Sequence, residues 1–240
     1  MAKLNVNIDL VARLRELRKT PYPELLQAAD IVEAAGAEGI TVHLRQDRRH
    51  IQDADLPALR EHIKTRLNLE MANTEEMVTI ALEVEPDMAT LVPENPGEVT
   101  TTGGLDAAAN EESLKATTAK LKSAGIHVSF FIDADEAQID TAERCGADSI
   151  ELCTAEYAEA KLAEDQYAEF EKIAAATRYA AAKGLKVNVG HGLDYQNTAL
   201  LAGLTGIEDF NTGHAIIIQA VFDGLRKAVE DMVKLVKGKG

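Results

Sequence analysis

Tryptophan is absent from this chain, aromatic residues make up only 4% of it, and Cys145 and Cys153 are its two cysteines. Two cysteines build neither a disulfide framework nor a zinc-ligand spacing, so both are read as reduced, mostly buried thiols. No apolar run approaches the roughly 20 residues that a bilayer-spanning helix needs. The opening Met-Ala-Lys-Leu-Asn-Val-Asn also lacks the apolar core of a secretion signal, and the expectation is a cytoplasmic protein with no membrane partner. Positive charge is scarce as well: 25 Lys and Arg stand against 40 Asp and Glu, a formal net charge of −15. That balance argues against nucleic acid or an anionic membrane as the main partner, since either needs a broad basic surface. The few basic clusters suit a small anion instead. Glycine patterns for dinucleotides and for P-loops are missing too.

What the chain does have is a steady alternation of short apolar runs and amphipathic segments. Residues 4–9 alternate as a first strand ending on Asp9, and 10–19 form a short helix carrying Arg13, Arg15 and Arg18. Pro23 opens a longer helix that stops at Gly36. In the strand that follows, a period of two puts Thr41, His43 and Arg45 on one face and Ile40, Val42 and Leu44 on the other. Next come a helix over 53–65, a strand over 66–71 with Asn68 and Glu70 on one face, and a helix over 75–84 capped by Thr74. A strand over 87–92, stopped by Pro93, leads to the loop 94–106, long enough to be either functional or mobile. The second half repeats the rhythm with helices over 111–124 and 136–144 and strands over 126–132 and 148–153, the latter with Ser149 and Glu151 on one face. A helical pattern over 156–183 with a break near 164–165 precedes a strand over 185–189, which runs into Gly190-His191-Gly192. A short helix over 196–202, a weak strand over 207–211 and one final helix from Gly213-His214 to about 236 complete the chain. Eight strand candidates, each followed by a helix and with no linker between them, predict an α/β fold: a (β/α)8 TIM barrel with additional helices, a single domain over 1–240.

In such barrels the carboxyl ends of the strands carry the chemistry. Those positions hold Asn7, Asp9, His43, Arg45, Glu70, Glu94, Asp133, Glu151, His191, Asn211 and His214. A merely structural barrel would fill its inward positions with branched aliphatics, because burying unpaired charge is costly. Together these residues read as a site, although each alone fits a satisfied core polar group. Phosphate is the first candidate ligand. One anion cradle consists of Arg45 and His50, with Arg48 or Arg49, facing Thr100 and Thr101; the other consists of Gly190-His191-Gly192 and Asn211-Thr212-Gly213-His214 ahead of a helix N-terminus. A solvated charge run and a plain glycine turn are the ordinary alternatives. Histidines and glutamates on one rim suit acid/base work, and metal ligation is the competing use. No two of the rim histidines are spaced as neighbouring ligands on one strand or helix, so no metal is expected.

The blocks Asn7-Ile8-Asp9, Gly39 to Arg45 with Asp47-Arg48-Arg49-His50-Ile51, and Asn68-Leu69-Glu70-Met71-Ala72 carry a more specific signal. With Val92-Pro93-Glu94, Gly103-Gly104-Leu105-Asp106, Phe131 to Asp135, Val189 to Leu193 and Gly213 to Ile217, they closely resemble the pyridoxine 5'-phosphate synthase family over almost the whole chain. The resemblance implies a (β/α)8 enzyme of vitamin B6 biosynthesis that joins 1-deoxy-D-xylulose 5-phosphate to 3-amino-2-oxopropyl phosphate. Its products would be pyridoxine 5'-phosphate, inorganic phosphate and water, made without a cofactor. It implies His43 and Glu70 as general bases, His191 as general acid and Glu151 as transition-state stabiliser. It further implies Asn7, Arg18, Gly192, Gly213 and His214 around the aminoketone phosphate, and Asp9, Leu10, Arg45, His50 and Thr100 around the xylulose phosphate. The implied assembly is a homo-octamer built from dimers, with Arg18 reaching a neighbouring subunit's site. Leu10 departs from the histidine usual there and leaves only its backbone for contact; Asn95, Pro96 and Thr102 alter the loop, Ala155 replaces a usual glycine and Gln219 a usual basic residue. These changes touch substrate grip rather than proton transfer. The rival readings are another phosphosugar barrel isomerase, epimerase or aldolase, and a non-catalytic phosphometabolite-binding protein.

Overall fold

Strands β1 (Lys3–Asn7), β2 (Gly39–His43), β3 (Arg66–Met71), β4 (Met88–Leu91), β5 (His127–Ile132), β6 (Ser149–Cys153), β7 (Lys186–Gly190) and β8 (Ile207–Thr212) pair in parallel in chain order. β8 pairs back onto β1, with Asn5 opposite Asn211, so the sheet closes into an eight-stranded barrel. The computed structural model describes residues 1–95, 98 and 100–238; Pro96 lies outside them. The first helices are α1 (Asp9–Arg18), α2 (Leu25–Ala34), α3 (Asp55–His62), α4 (Glu75–Val84), α5 (Glu111–Ser123) and α6 (Glu136–Cys145). α7 (Ala155–Glu159), α8 (Ala163–Ala182), α9 (Thr198–Ala202), α10 (His214–Asp223) and α11 (Leu225–Val236) follow.

Strands covered on both faces must satisfy two different neighbours. Outward, Ile40, Val42, Leu44, Leu67, Leu69, Phe130, Ile132, Leu152, Val187, Val189 and Phe210 are fully or almost fully buried against the helices. Inward, the alternation delivers Asn5, Thr41, Asn68, Thr90, Ser129, Ser149, Asn188 and Asn211, all buried. These groups satisfy one another in part: Asn5 Nδ2 donates to Asn211 Oδ1 at 2.9 Å and Thr90 Oγ1 to Asn68 Oδ1 at 2.8 Å. The barrel interior is therefore polar below the rim as well as at it. At the amino end Arg66 closes it by donating to Asp209 at 2.9 Å.

Three expected boundaries shift for local reasons. The first strand ends at Asn7, because Asn7 Oδ1 accepts the backbone N–H of Asp9 at 2.9 Å and turns the chain into α1, leaving Asp9 in a first helical turn. The helical stretch over 156–183 is two helices that break over 160–162 rather than at 164–165. The final helix is also two: Gly224 sits at φ 81°, a conformation that glycine adopts freely and that ends α10 before α11 begins. The expected cap is present, with Thr74 Oγ1 accepting from the Met77 N–H at 3.3 Å. Cys145 is buried and Cys153 half-buried, and both are free thiols.

Candidate active site

The register of β2 on β3 places His43 opposite Glu70 at the carboxyl end of the barrel. His43 Nδ1 lies 3.8 Å from Glu70 Oε2, beyond hydrogen-bond length, while on the other side Nε2 meets Glu94 Oε1 at 2.7 Å. The backbone N–H of His43 is held by Asp9 Oδ1 at 2.9 Å, and Asp9 Oδ2 accepts from Asn7 Nδ2 at 2.9 Å. His50 closes this wall: its Nδ1 accepts the Ile51 N–H at 3.0 Å, and its ring centre lies 6.3 Å from that of His43. Burial, reinforced by the charges of Glu151 and Asp9 and opposed by Arg45, pushes the Glu70 carboxyl well above the usual carboxylate range. Glu94 goes the other way: burial raises it, but the hydrogen bonds from His43 and Gln46 outweigh that and leave it below its ordinary value. Burial holds His50 below the ordinary imidazole value.

Across the mouth, Glu151 Oε2 accepts from Asn211 Nδ2 at 2.5 Å. Burial, opposed by that bond and aided by the charge of Asp209, pushes its carboxyl up to about 8. Residue 190 must be glycine for this placement, since a Cβ there would collide with Glu151 Oε1. The turn beyond β7 is pinned by Thr154, whose hydroxyl donates to the carbonyls of Gly190 at 2.8 Å and His191 at 2.5 Å. His191 takes the left-handed conformation, φ 78°, with its ring 6.3 Å from Phe131. Burial lowers its imidazole below the ordinary value, so it is neutral at pH 7 in the free protein. Gly213 lies against Asn7, with 2.8 Å between a built Cβ and the Asn7 carbonyl oxygen, and His214 opens α10 in an exposed position.

Most expected site residues thus gather around one mouth: Asn7, Asp9, His43, Arg45, His50 and Glu70 on or just after β1 to β3, and Glu151, His191, Gly192, Gly213 and His214 on or just after β6 to β8, the two sets meeting where Gly213 lies against Asn7. Three further placements bear on the expected contacts. Arg45 makes no hydrogen bond to Thr100 or Thr101; its guanidinium donates to Glu98 Oε1 at 2.5 Å, with only 5% and 7% of the two side chains exposed, while Thr100 is exposed and Thr101 buried. Leu10 packs its side chain on the hydrophobic core, away from any polar role. Arg18 stands exposed near the far end of α1, outside this chain's own cluster. Glu98 and Thr154 are partners that the sequence pattern does not single out, because neither sits on a strand of period two. Among the described residues no group of three or more His, Cys, Asp or Glu is arranged to hold a metal ion.

A profile of the family described as pyridoxal phosphate biosynthesis protein PdxJ matches residues 4–238. The chain belongs to that family. It is 56% identical over 229 residues to the pyridoxine 5'-phosphate synthase of Photobacterium profundum, covering 95% of this chain and 94% of that one. It is likewise 56% identical over 235 residues to the pyridoxine 5'-phosphate synthase of Aliivibrio fischeri, covering 98% and 97% of the two chains. Among solved structures, a Streptococcus mutans protein titled KGPDC aligns with a TM-score of 0.69 at 12% identity, covering 99% of this chain and 98% of that one. A 4-hydroxy-2-oxoglutarate aldolase aligns at 0.66 and 14%, covering 98% and 94%. Those likenesses show the barrel fold alone; the family membership rests on the sequence relatives.

Proposed function

We propose that this chain is a pyridoxine 5'-phosphate synthase that condenses 1-deoxy-D-xylulose 5-phosphate with 3-amino-2-oxopropyl phosphate by general acid/base chemistry, without a metal or cofactor. The observation that carries this reading is the pairing of His43 with Glu70 on one side of the mouth and Glu151 on the other. In the reaction the amine attacks the ketone and water leaves, phosphate is eliminated, and an aldol-type closure that loses a second water forms the aromatic ring. Several protons must therefore move on both faces of one bound intermediate, which separately placed groups can do.

His43 and Glu70 act as the bases. Burial raises the Glu70 carboxyl well above the ordinary carboxylate range, which makes its carboxylate a stronger base than an exposed one. Glu151, kept largely protonated by burial, presents an O–H to developing negative charge. His191 serves as the acid once a phosphate dianion docks beside it at Gly192, Gly213 and His214 and offsets the burial that keeps the free imidazole neutral. Arg45 and His50 take the second phosphate, Arg45 by exchanging the Glu98 carboxylate for it.

The same reading makes the protein cytoplasmic, and no helix among the described residues is long and apolar enough to cross a membrane. It also assembles the chain into a homo-octamer built from dimers, with Arg18 completing a neighbouring site. Exposed Leu14 and Leu17 on α1 and Ile218, Val221 and Phe222 on the adjoining α10 support that assembly, which light scattering tests.

The decisive experiment supplies both substrates and follows the pyridoxine chromophore together with released phosphate. Glu70→Gln abolishes turnover and leaves phosphate-ligand binding within about tenfold. Loss of binding along with turnover would reassign Glu70 to structure, and activity lost to a chelator and restored by a divalent metal would favour an aldolase-type mechanism.

A further inference from the structure

We propose that Glu94 is the positioning residue of His43: it fixes the imidazole as the Nε2–H tautomer and leaves Nδ1 bare toward Glu70. The inference rests on the reading of His43 as a base. Glu94 lies just beyond β4, where its carboxylate is anchored from two sides. Oε1 meets His43 Nε2 at 2.7 Å, and Oε2 accepts both the backbone N–H of Gln46 at 3.1 Å and the Gln46 side-chain amide at 3.3 Å. Both side chains of the pair expose 7% of their surface.

An ionised carboxylate only accepts hydrogen bonds, so the histidine nitrogen facing it must carry the proton. Glu94 is ionised, its burial outweighed by the bonds it receives. On the opposite edge, the 3.8 Å from Nδ1 to Glu70 Oε2 leaves the lone pair of Nδ1 unengaged. Among the described residues the other charged neighbours leave both ring nitrogens alone: Asp9 takes the backbone N–H of His43, His50 stands 6.3 Å away ring to ring, and Arg45 is turned to Glu98. When Nδ1 takes a proton from substrate, the proton rests there until it is returned. The imidazolium so formed keeps its Nε2–H on Glu94, which holds the ring in place and stabilises its charge without itself gaining a proton.

The test is Glu94→Gln, a substitution of the same shape. The two Gln46 donors claim the single amide oxygen, which turns the amide N–H2 toward His43 Nε2 and forces that nitrogen to accept. In 15N-histidine spectra of the full chain near pH 7.5, with the His43 signals identified by their loss in His43→Asn, the wild-type protein shows Nε2–H and E94Q shows Nδ1–H. Turnover in E94Q falls by about 10²-fold or more, with KM for each substrate within about threefold. Glu94→Asp, which keeps a carboxylate, retains the Nε2–H tautomer. An E94Q protein with wild-type tautomer and wild-type kcat overturns the assignment. Absence of turnover in the wild-type protein, with the tautomer still governed by residue 94, overturns the functional reading and leaves the placement of His43 by Glu94 standing.

Discussion

Replacing Glu151 by glutamine isolates the cost of ionising a carboxyl inside the barrel. The glutamine can still accept from Asn211 and stays neutral at every pH, so it mimics the protonated acid. In the wild-type protein the folded carboxyl titrates at about 8 against an ordinary 4.5, and the folded state therefore binds the proton more tightly than the unfolded chain does. The stability this group confers is fully present below the ordinary value and is lost as pH rises toward 8. At about 1.4 kcal/mol per pH unit, the loss between pH 5 and pH 7 is about 2–3 kcal/mol. Glu70 adds to it in the same direction, chiefly because burial raises its carboxyl. Urea unfolding followed by far-UV circular dichroism at half-unit steps from pH 5 to pH 8.5 reads the effect. The wild-type midpoint should fall relative to that of Glu151→Gln by about 1 M, taking a slope near 2–3 kcal/mol/M for a domain this large. Parallel midpoints for the two proteins over that range would refute the claim that Glu151 is held protonated by its surroundings.

Glu98→Gln leaves the buried Arg45 with a neutral partner. Its melting temperature should fall in phosphate-free buffer, by the equivalent of about 3 kcal/mol or less, and should rise more steeply than the wild-type value when inorganic phosphate is added. Gly190→Ala drives a methyl group into Glu151 Oε1; urea unfolding should report a loss of about 1–3 kcal/mol, and turnover should fall with it. His191, neutral near pH 7 because it is buried, should titrate at higher pH when inorganic phosphate saturates the site, and an unchanged midpoint in its NMR titration would place the phosphate elsewhere.

The barrel is legible in the sequence because parallel strands buried on both faces leave a period-two record. Thr41 and His43, Asn68 and Glu70, and Ser149 and Glu151 are polar at every second position, and each pair points inward. β8 is faint for the same reason: with Asp209 and Asn211 facing the interior and Glu208 exposed, only Ile207 and Phe210 remain to advertise a strand that is six residues long. The break at Gly224 is hidden because an amphipathic pattern continues through it, and only the backbone dihedral shows the interruption. Side-chain pairing across the long loop leaves no periodic trace at all. Alternation brings Arg45 to the mouth but says nothing about whether Thr100 or Glu98 meets it. Glu94 is visible as a rim residue, whereas its grip on His43 depends on how the chain turns after Pro93.

A mouth proposed to take two phosphates would be expected to exclude carboxylates, yet this one gathers Asp9, Glu70, Glu94, Glu98 and Glu151. The geometry removes the contradiction by disposing of each negative charge in a different way. Glu151 is desolvated until it holds its proton near neutral pH, and burial pushes Glu70 in the same direction, so both repel an incoming anion less than exposed carboxylates would. Glu94 and Glu98 spend their charge on His43 and Arg45, and Asp9 is engaged by Asn7 and the His43 backbone. In the proposed function phosphate enters by exchange with Glu98 on Arg45, which conserves the number of ion pairs, rather than by adding charge to an already negative wall. The protein as a whole carries −15, so such local neutralisation, rather than long-range attraction, has to favour the binding of anions.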